Sequence, residues 1–169
     1  MNNIILIGMP SAGKSTVGVV LAKALGFDFV DTDLIIQRQQ GDKLYRIIEK
    51  KGIDEFIRIE NECVASLKAE KSVIATGGSV IFGREAMVNL KKLGIVVYLE
   101  TDEKEIERRL NNIKTRGVVM AENETVSDIY RKRVPLYEKY ADITVRTQNG
   151  QIERTVEMIM KGNENEKDS

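Results

Sequence analysis

Gly8-Met9-Pro10-Ser11-Ala12-Gly13-Lys14-Ser15 matches the pattern G-x-x-x-x-G-K-[ST] at every fixed position. The two glycines let the backbone curl tightly, so that successive amides point inward at an anion. A helix that starts at the end of such a loop adds its positive N-terminal end. In this pattern the lysine reaches the β- and γ-phosphates and the hydroxyl residue ligates Mg²⁺. With Gly near 7% of residues, a chance match is on the order of one in a hundred or less. Ser11, Ala12, Gly13, Lys14, Ser15 and Thr16 are therefore candidate nucleotide-binding residues.

Two further clusters could do chemistry. Asp31 and Asp33 end a short apolar run, and on a strand they would share one face. One carboxylate beside a phosphate loop can support Mg²⁺, and the other can accept a proton from an attacking hydroxyl. The structural alternative is a solvated strand end, with Asp33 capping the helix that opens at Leu34. Gly77-Gly78 follows another apolar run. It can bring backbone close to a ligand, or it can be a tight turn.

Composition removes other chemistries. The 169 residues include no His, no Trp and one Cys, and 26 basic residues balance 26 acidic ones. Histidine general bases, histidine-ligated metals and Ser-His-Asp triads are excluded. Cysteine-rich zinc sites and an internal disulfide are excluded too. The zero net charge and 5% aromatic content predict no nucleic-acid partner. No apolar stretch is long enough to span a bilayer. The chain opens on Met1-Asn2-Asn3 without a basic segment or a small-residue cleavage site, which predicts no signal peptide and, with the lone cysteine, a cytoplasmic protein.

The elements that must position these clusters alternate. Strands are predicted at 4–7, 27–30, 72–75, 95–99 and 143–146. Helices are predicted at 15–25, 34–40, 85–92, 153–160 and from 101 or 102 to about 112, with two more within 43–70 divided by Gly52. Thr125 to Tyr140 reads as a helix kinked at Pro135. Residues 114–124 read as a mobile loop, part of a lid over about 112–124, and 161–169 as a frayed polar tail. The expectation is one domain over 1–160: an α/β fold of the P-loop NTPase type, with a five-stranded, mostly parallel sheet and helices on both faces. Ligands in such sheets sit beyond the carboxyl ends of the strands, where residues 8–16, 31–33 and 76–79 all fall. Cys63, spaced between Ile59 and Leu67, reads as a buried structural thiol.

The phosphate loop at 8–15, the D-x-D at 31–33, the Gly-Gly at 77–78 and the R-x-P-L-Y at 133–137 together resemble the shikimate kinase family, in one register from about residue 4 to about residue 160. The resemblance implies an ATP- and Mg²⁺-dependent enzyme that phosphorylates the 3-hydroxyl of shikimate, in chorismate and aromatic amino-acid biosynthesis; a monomer is expected. It implies that Lys14 and Ser15 serve the phosphates and Mg²⁺, with Asp31 supporting the metal. Asp33 would bind the acceptor hydroxyl and act as base. Gly77 and Gly78 would meet the substrate through backbone, and Arg133 would pair with its carboxylate. Arg116 would come from the lid to stabilise the transferring phosphoryl. Arg109 would lie against adenine, with the segment around Thr147 on the other side.

Three positions depart from the family pattern. The helix written G-E-x-x-F-R-x-x-E keeps Gly52, Phe56 and Glu60, but its arginine position holds Ile57. Arg58 sits one place along, about 100° around a helix. It either swings into the substrate site or stands as a solvated surface residue. A charge-assisted contact is worth about 1.5–3 kcal/mol, so its loss corresponds to a roughly tenfold to 150-fold penalty. The third loop glycine is Ser79, which narrows the acceptor pocket or adds a hydroxyl to it. The lid's R-P-L-L reads Arg116-Gly117-Val118-Val119, replacing a stiff proline by a flexible glycine. Two alternatives follow: a kinase of the same family for another hydroxylated acceptor, and a nucleotide-binding module without transfer. The second needs no Asp33, Arg116 or Arg133, which counts against it.

Overall fold

The computed structural model describes residues 3–111 and 117–167. Five strands form one sheet: β1 (Asn3–Ile7), β2 (Asp28–Asp31), β3 (Ser72–Ala75), β4 (Gly94–Glu100) and β5 (Ile143–Arg146). Their order is β2-β3-β1-β4-β5 and every neighbouring pair is parallel. All carboxyl ends therefore face one way, and the clusters at the ends of β1, β2 and β3 meet there.

Period-two alternation within continuous apolar runs explains the layers. On β1, Ile4 and Leu6 face one side and Ile5 and Ile7 the other, and all four are buried. The first side is covered by α1 (Lys14–Leu25) and α8 (Ile152–Lys167), through Val17, Leu21, Val156 and Ile159. The second is covered by α4 (Ile53–Ala65), α5 (Arg84–Leu93), α6 (Glu103–Asn111) and α7 (Val126–Tyr140). A smaller apolar cluster joins α4 to α2 (Thr32–Gln40) and α3 (Leu44–Lys51): Ile36, Ile47, Phe56, Ile59 and Cys63, capped by Val119 from the segment before α7. This cluster forms the floor under one end of the cleft.

Local signals set most boundaries. Gly26 and Gly41 end α1 and α2 in the left-handed conformation. Thr125 and Asp128 form a capping box at the start of α7. The helix runs unbroken through Pro135. Two expectations change. The last helix continues to Lys167, past the boundary placed at Lys161, because Gly162 packs closely on Ile143 and Asn163 is buried. The helix after β2 begins at Thr32, capped by Asp31, whose carboxylate accepts from the Asp33 amide at 2.9 Å. Asp33 is thus not the cap, and it does not share a strand with Asp31. Among the described residues no helix is long and apolar enough to cross a membrane.

Candidate active site

A cleft of about 990 Å³ opens over the carboxyl ends of the strands, at the upper end of the size range of small-molecule sites. One wall is the phosphate loop. Gly13, at φ 91°, turns the chain into α1 without a side-chain cap, so the first-turn amides of α1 stay available to an anion. Ser11, Ala12, Gly13, Lys14, Ser15 and Thr16 all line the cleft. Lys14 is buried, and its ammonium donates to the carbonyls of Gly8 and Met9, each at 2.7 Å. Burial lowers its pKa to about 8, against the opposing pull of Asp33. A phosphate that accepts from Lys14 restores the favoured charged form.

Ser15 Oγ donates to Asp31 Oδ2 at 3.1 Å. Asp31 stands behind the wall rather than in it. A hydroxyl and a carboxylate at this spacing fit Mg²⁺, which takes one or two protein oxygens and fills its shell with phosphate and water. Asp33, the second residue of α2, does face the cleft. Its carboxyl is raised to about 6, first by burial and then by the charge of Asp31, with Lys14 opposing. That basicity suits a group that accepts a proton near neutrality.

At the nucleotide end, Arg109 on α6 donates from Nη1 to the Ser11 carbonyl at 2.8 Å and from Nε to Glu105 at 2.7 Å, which lays the guanidinium along the cleft. Thr147 follows β5 on the opposite side. Its amide donates to the Glu100 carbonyl, and its hydroxyl shares a 2.6 Å hydrogen bond with Thr101. Arg109 and Thr147 both line the cleft.

The other end is built by the loop after β3 and by α7. Gly77 and Gly78 line the cleft. A Cβ on Gly78 would come within 2.7 Å of Pro10, so this loop and the phosphate loop touch only because no side chain intervenes. Arg133 is 2% exposed. Its Nη2 donates to the Val119 carbonyl at 2.5 Å, while Nε and Nη1 have no partner among the described residues. Two unpaired buried guanidinium donors are costly unless an anion completes them. Four residues along the same face of α7, the Tyr137 hydroxyl donates to the Gly78 carbonyl at 2.5 Å. Its ring stacks on Tyr98 at 5.2 Å. The R-x-P-L-Y motif thus supplies a cationic group that can bind an anion and a pin for the glycine loop.

Arg58 does not line the cleft. It lies on the outer face of α4, where it pairs with Glu55 and Glu62 at 2.6 and 2.5 Å. One helical position carries it away from the substrate side, so it does not replace the missing arginine. Ile57 packs against the small cluster of α2, α3 and α4. Gly117 does not serve flexibility: a Cβ there would lie 2.5 Å from Leu44 Cβ, so glycine lets the segment press on the start of α3. Arg116 lies outside the described residues. Ser79 and Glu60 face each other in the acceptor end, a pairing across 19 positions that no local pattern announces. Ser79 Oγ donates to Glu60 Oε1 at 2.6 Å, and both residues are buried. Burial raises the Glu60 carboxyl to about 7, with the Ser79 hydrogen bond opposing.

Comparison with known proteins agrees with this geometry. The family model described as shikimate kinase matches residues 10–162. The shikimate kinase of Thermodesulfovibrio yellowstonii is 40% identical over 164 residues, covering 95% of this chain and 94% of that one. The Vibrio vulnificus (strain YJ016) shikimate kinase is 35% identical over 162 residues, covering 94% of each. The solved shikimate kinase from Acinetobacter baumannii in complex with shikimate superposes with a TM-score of 0.85 at 36% identity, over 95% of this chain and 92% of that one. A sugar kinase from Janibacter, at 13% identity and a TM-score of 0.62, shares the fold alone. With a phosphate loop, a second glycine loop and a buried arginine in one register, and with relatives matched over nearly its whole length, this chain belongs to the shikimate kinase family.

Proposed function

We propose that this chain transfers the γ-phosphoryl group of ATP to the 3-hydroxyl of shikimate. The observation that carries the reading is Arg133: a buried guanidinium with two donors unpaired among the described residues, in the same cleft as a phosphate loop, with the basic carboxylate of Asp33 lining the space shared with both. This arrangement suits an acceptor that has both a carboxylate and a hydroxyl.

In this reading the amides of residues 11–16 and the Lys14 ammonium bind the β- and γ-phosphates, and Arg109 and Thr147 flank the adenine. Arg133 takes the acceptor carboxylate, and the Gly77–Gly78 backbone shapes the pocket around the ring. Asp33 Oδ accepts the proton of the attacking hydroxyl. Arg116, from the lid, stabilises the charge on the transferring group. Ser15 and Asp31 would hold Mg²⁺, which neutralises and orients the phosphates when bound. Catalysis is then positioning plus electrostatic stabilisation. A monomer working in the cytoplasm completes the reading.

A coupled ADP-release assay with ATP, Mg²⁺ and shikimate tests the assignment. Saturable, shikimate-dependent turnover that Lys14→Ala abolishes is expected. Near-normal turnover in that variant would sink the role given to the phosphate loop.

A further inference from the structure

The family arginine at position 57 is absent, and Arg58 points away. Glu60 is 2% exposed and lines the cleft. Its Oε1 is fixed by the Ser79 hydroxyl at 2.6 Å, while Oε2 is buried without a partner among the described residues. A buried polar atom that lines a cleft and has no protein partner can take a hydrogen bond from a ligand. A Cβ at Gly77 would lie 2.6 Å from Glu60 Oε2 and 2.8 Å from Asp33 Oδ1. The two carboxylates therefore converge on one point, and glycine there keeps both reachable from the cleft.

We propose that Ser79 is a positioning residue for the acceptor: it clamps Glu60 so that Oε2 binds the hydroxyl next to the one that Asp33 receives. The pocket then reads one carboxylate, through Arg133, and two neighbouring hydroxyls, through Asp33 and Glu60. Ser79 recovers through the hydroxyl side some of the binding lost with the arginine at position 57. On the proposed substrate, the second hydroxyl is the one at ring position 4. The inference rests on the proposed function and adds to it a specificity element made from this chain's own departure.

The test is steady-state kinetics of the unsubstituted chain, Ser79→Gly, Ser79→Ala and Ser79→Thr, with shikimate and with 4-deoxyshikimate. Thermal melting accompanies each variant, and the Ala variant serves where the Gly variant does not fold. The expected result is that Ser79→Gly and Ser79→Ala raise the KM for shikimate roughly three- to tenfold. The KM for ATP should stay within twofold, and Ser79→Thr should restore the KM for shikimate. With 4-deoxyshikimate the variants should match the unsubstituted chain. An unmoved KM for shikimate, or an equal rise for both acceptors, would overturn the inference while leaving the proposed function intact. No turnover of shikimate by the unsubstituted chain would overturn both.

Discussion

Glu60→Gln should flatten the loss of stability that this fold suffers as pH rises. Burial holds the folded Glu60 carboxyl at about 7, against 4.5 for an exposed glutamate. Between those values the folded chain keeps a proton that the unfolded chain has released. The unfolding free energy therefore falls with rising pH across that window: the contribution is fully present below about 4.5 and lost as pH passes 7. At 1.36 kcal/mol per pH unit, the group costs the fold ~2–3 kcal/mol between pH 5 and pH 8. Asp33, raised to about 6 by burial and then by Asp31, adds a slope of the same sign at lower pH, so the difference between the two proteins is what isolates Glu60. The glutamine keeps an oxygen for the Ser79 hydroxyl and cannot ionise. Urea unfolding at pH 5, 6, 7 and 8 reads the difference. Parallel slopes for the two proteins would refute the argument, because they would mean that Glu60 is ionised in the fold throughout.

Three other perturbations follow from the geometry. Arg133→Lys removes the two fixed donors and leaves a point charge; initial-rate kinetics should show the KM for shikimate raised at least tenfold with the KM for ATP unchanged, and an unchanged KM for shikimate would take the carboxylate away from Arg133. Tyr137→Phe frees the Gly78 carbonyl from its 2.5 Å hydrogen bond while keeping the stack on Tyr98; a loss of about 1 kcal/mol in chemical denaturation is expected, with a weaker acceptor KM, and a variant as stable as the parent would mean that the bond contributes nothing. Gly117→Ala places a methyl 2.5 Å from Leu44 Cβ; kcat should fall because the segment before α7 must lift from α3, and an unaltered kcat would show that this contact does not govern turnover.

Much of the fold was legible because its signals are local. Buried parallel strands read as short β-branched runs, glycines closed the helices, and the phosphate loop has fixed residues at fixed spacing. The meeting of 8–16 and 77–78 beyond the strand ends was legible for the same reason, whereas Arg133 joined them through the family resemblance alone. What local pattern could not show is how distant segments meet. The Ser79–Glu60 bond joins the loop after β3 to α4. The Tyr137–Gly78 bond joins α7 to the same loop. Gly117 looked like a gain in flexibility until its contact with Leu44 made it a steric requirement. Asp33 was misplaced by one element because the strand-to-helix change falls between Asp31 and Thr32, and an Asp at either position is an acceptable cap. The end of α8 was cut short because its composition is polar there, while the packing of Gly162 on Ile143 and the burial of Asn163 are tertiary facts.

The central claim is that the cleft moves a phosphoryl group from ATP to one hydroxyl of shikimate. The most direct measurement is phosphorus and proton NMR of the product made by the purified chain from equimolar ATP and shikimate with Mg²⁺. The account predicts ADP and a single phosphate ester on the 3-hydroxyl, with none formed when Lys14 is replaced by Ala. ATP bound with shikimate left unmodified, or an ester on another hydroxyl, would contradict it.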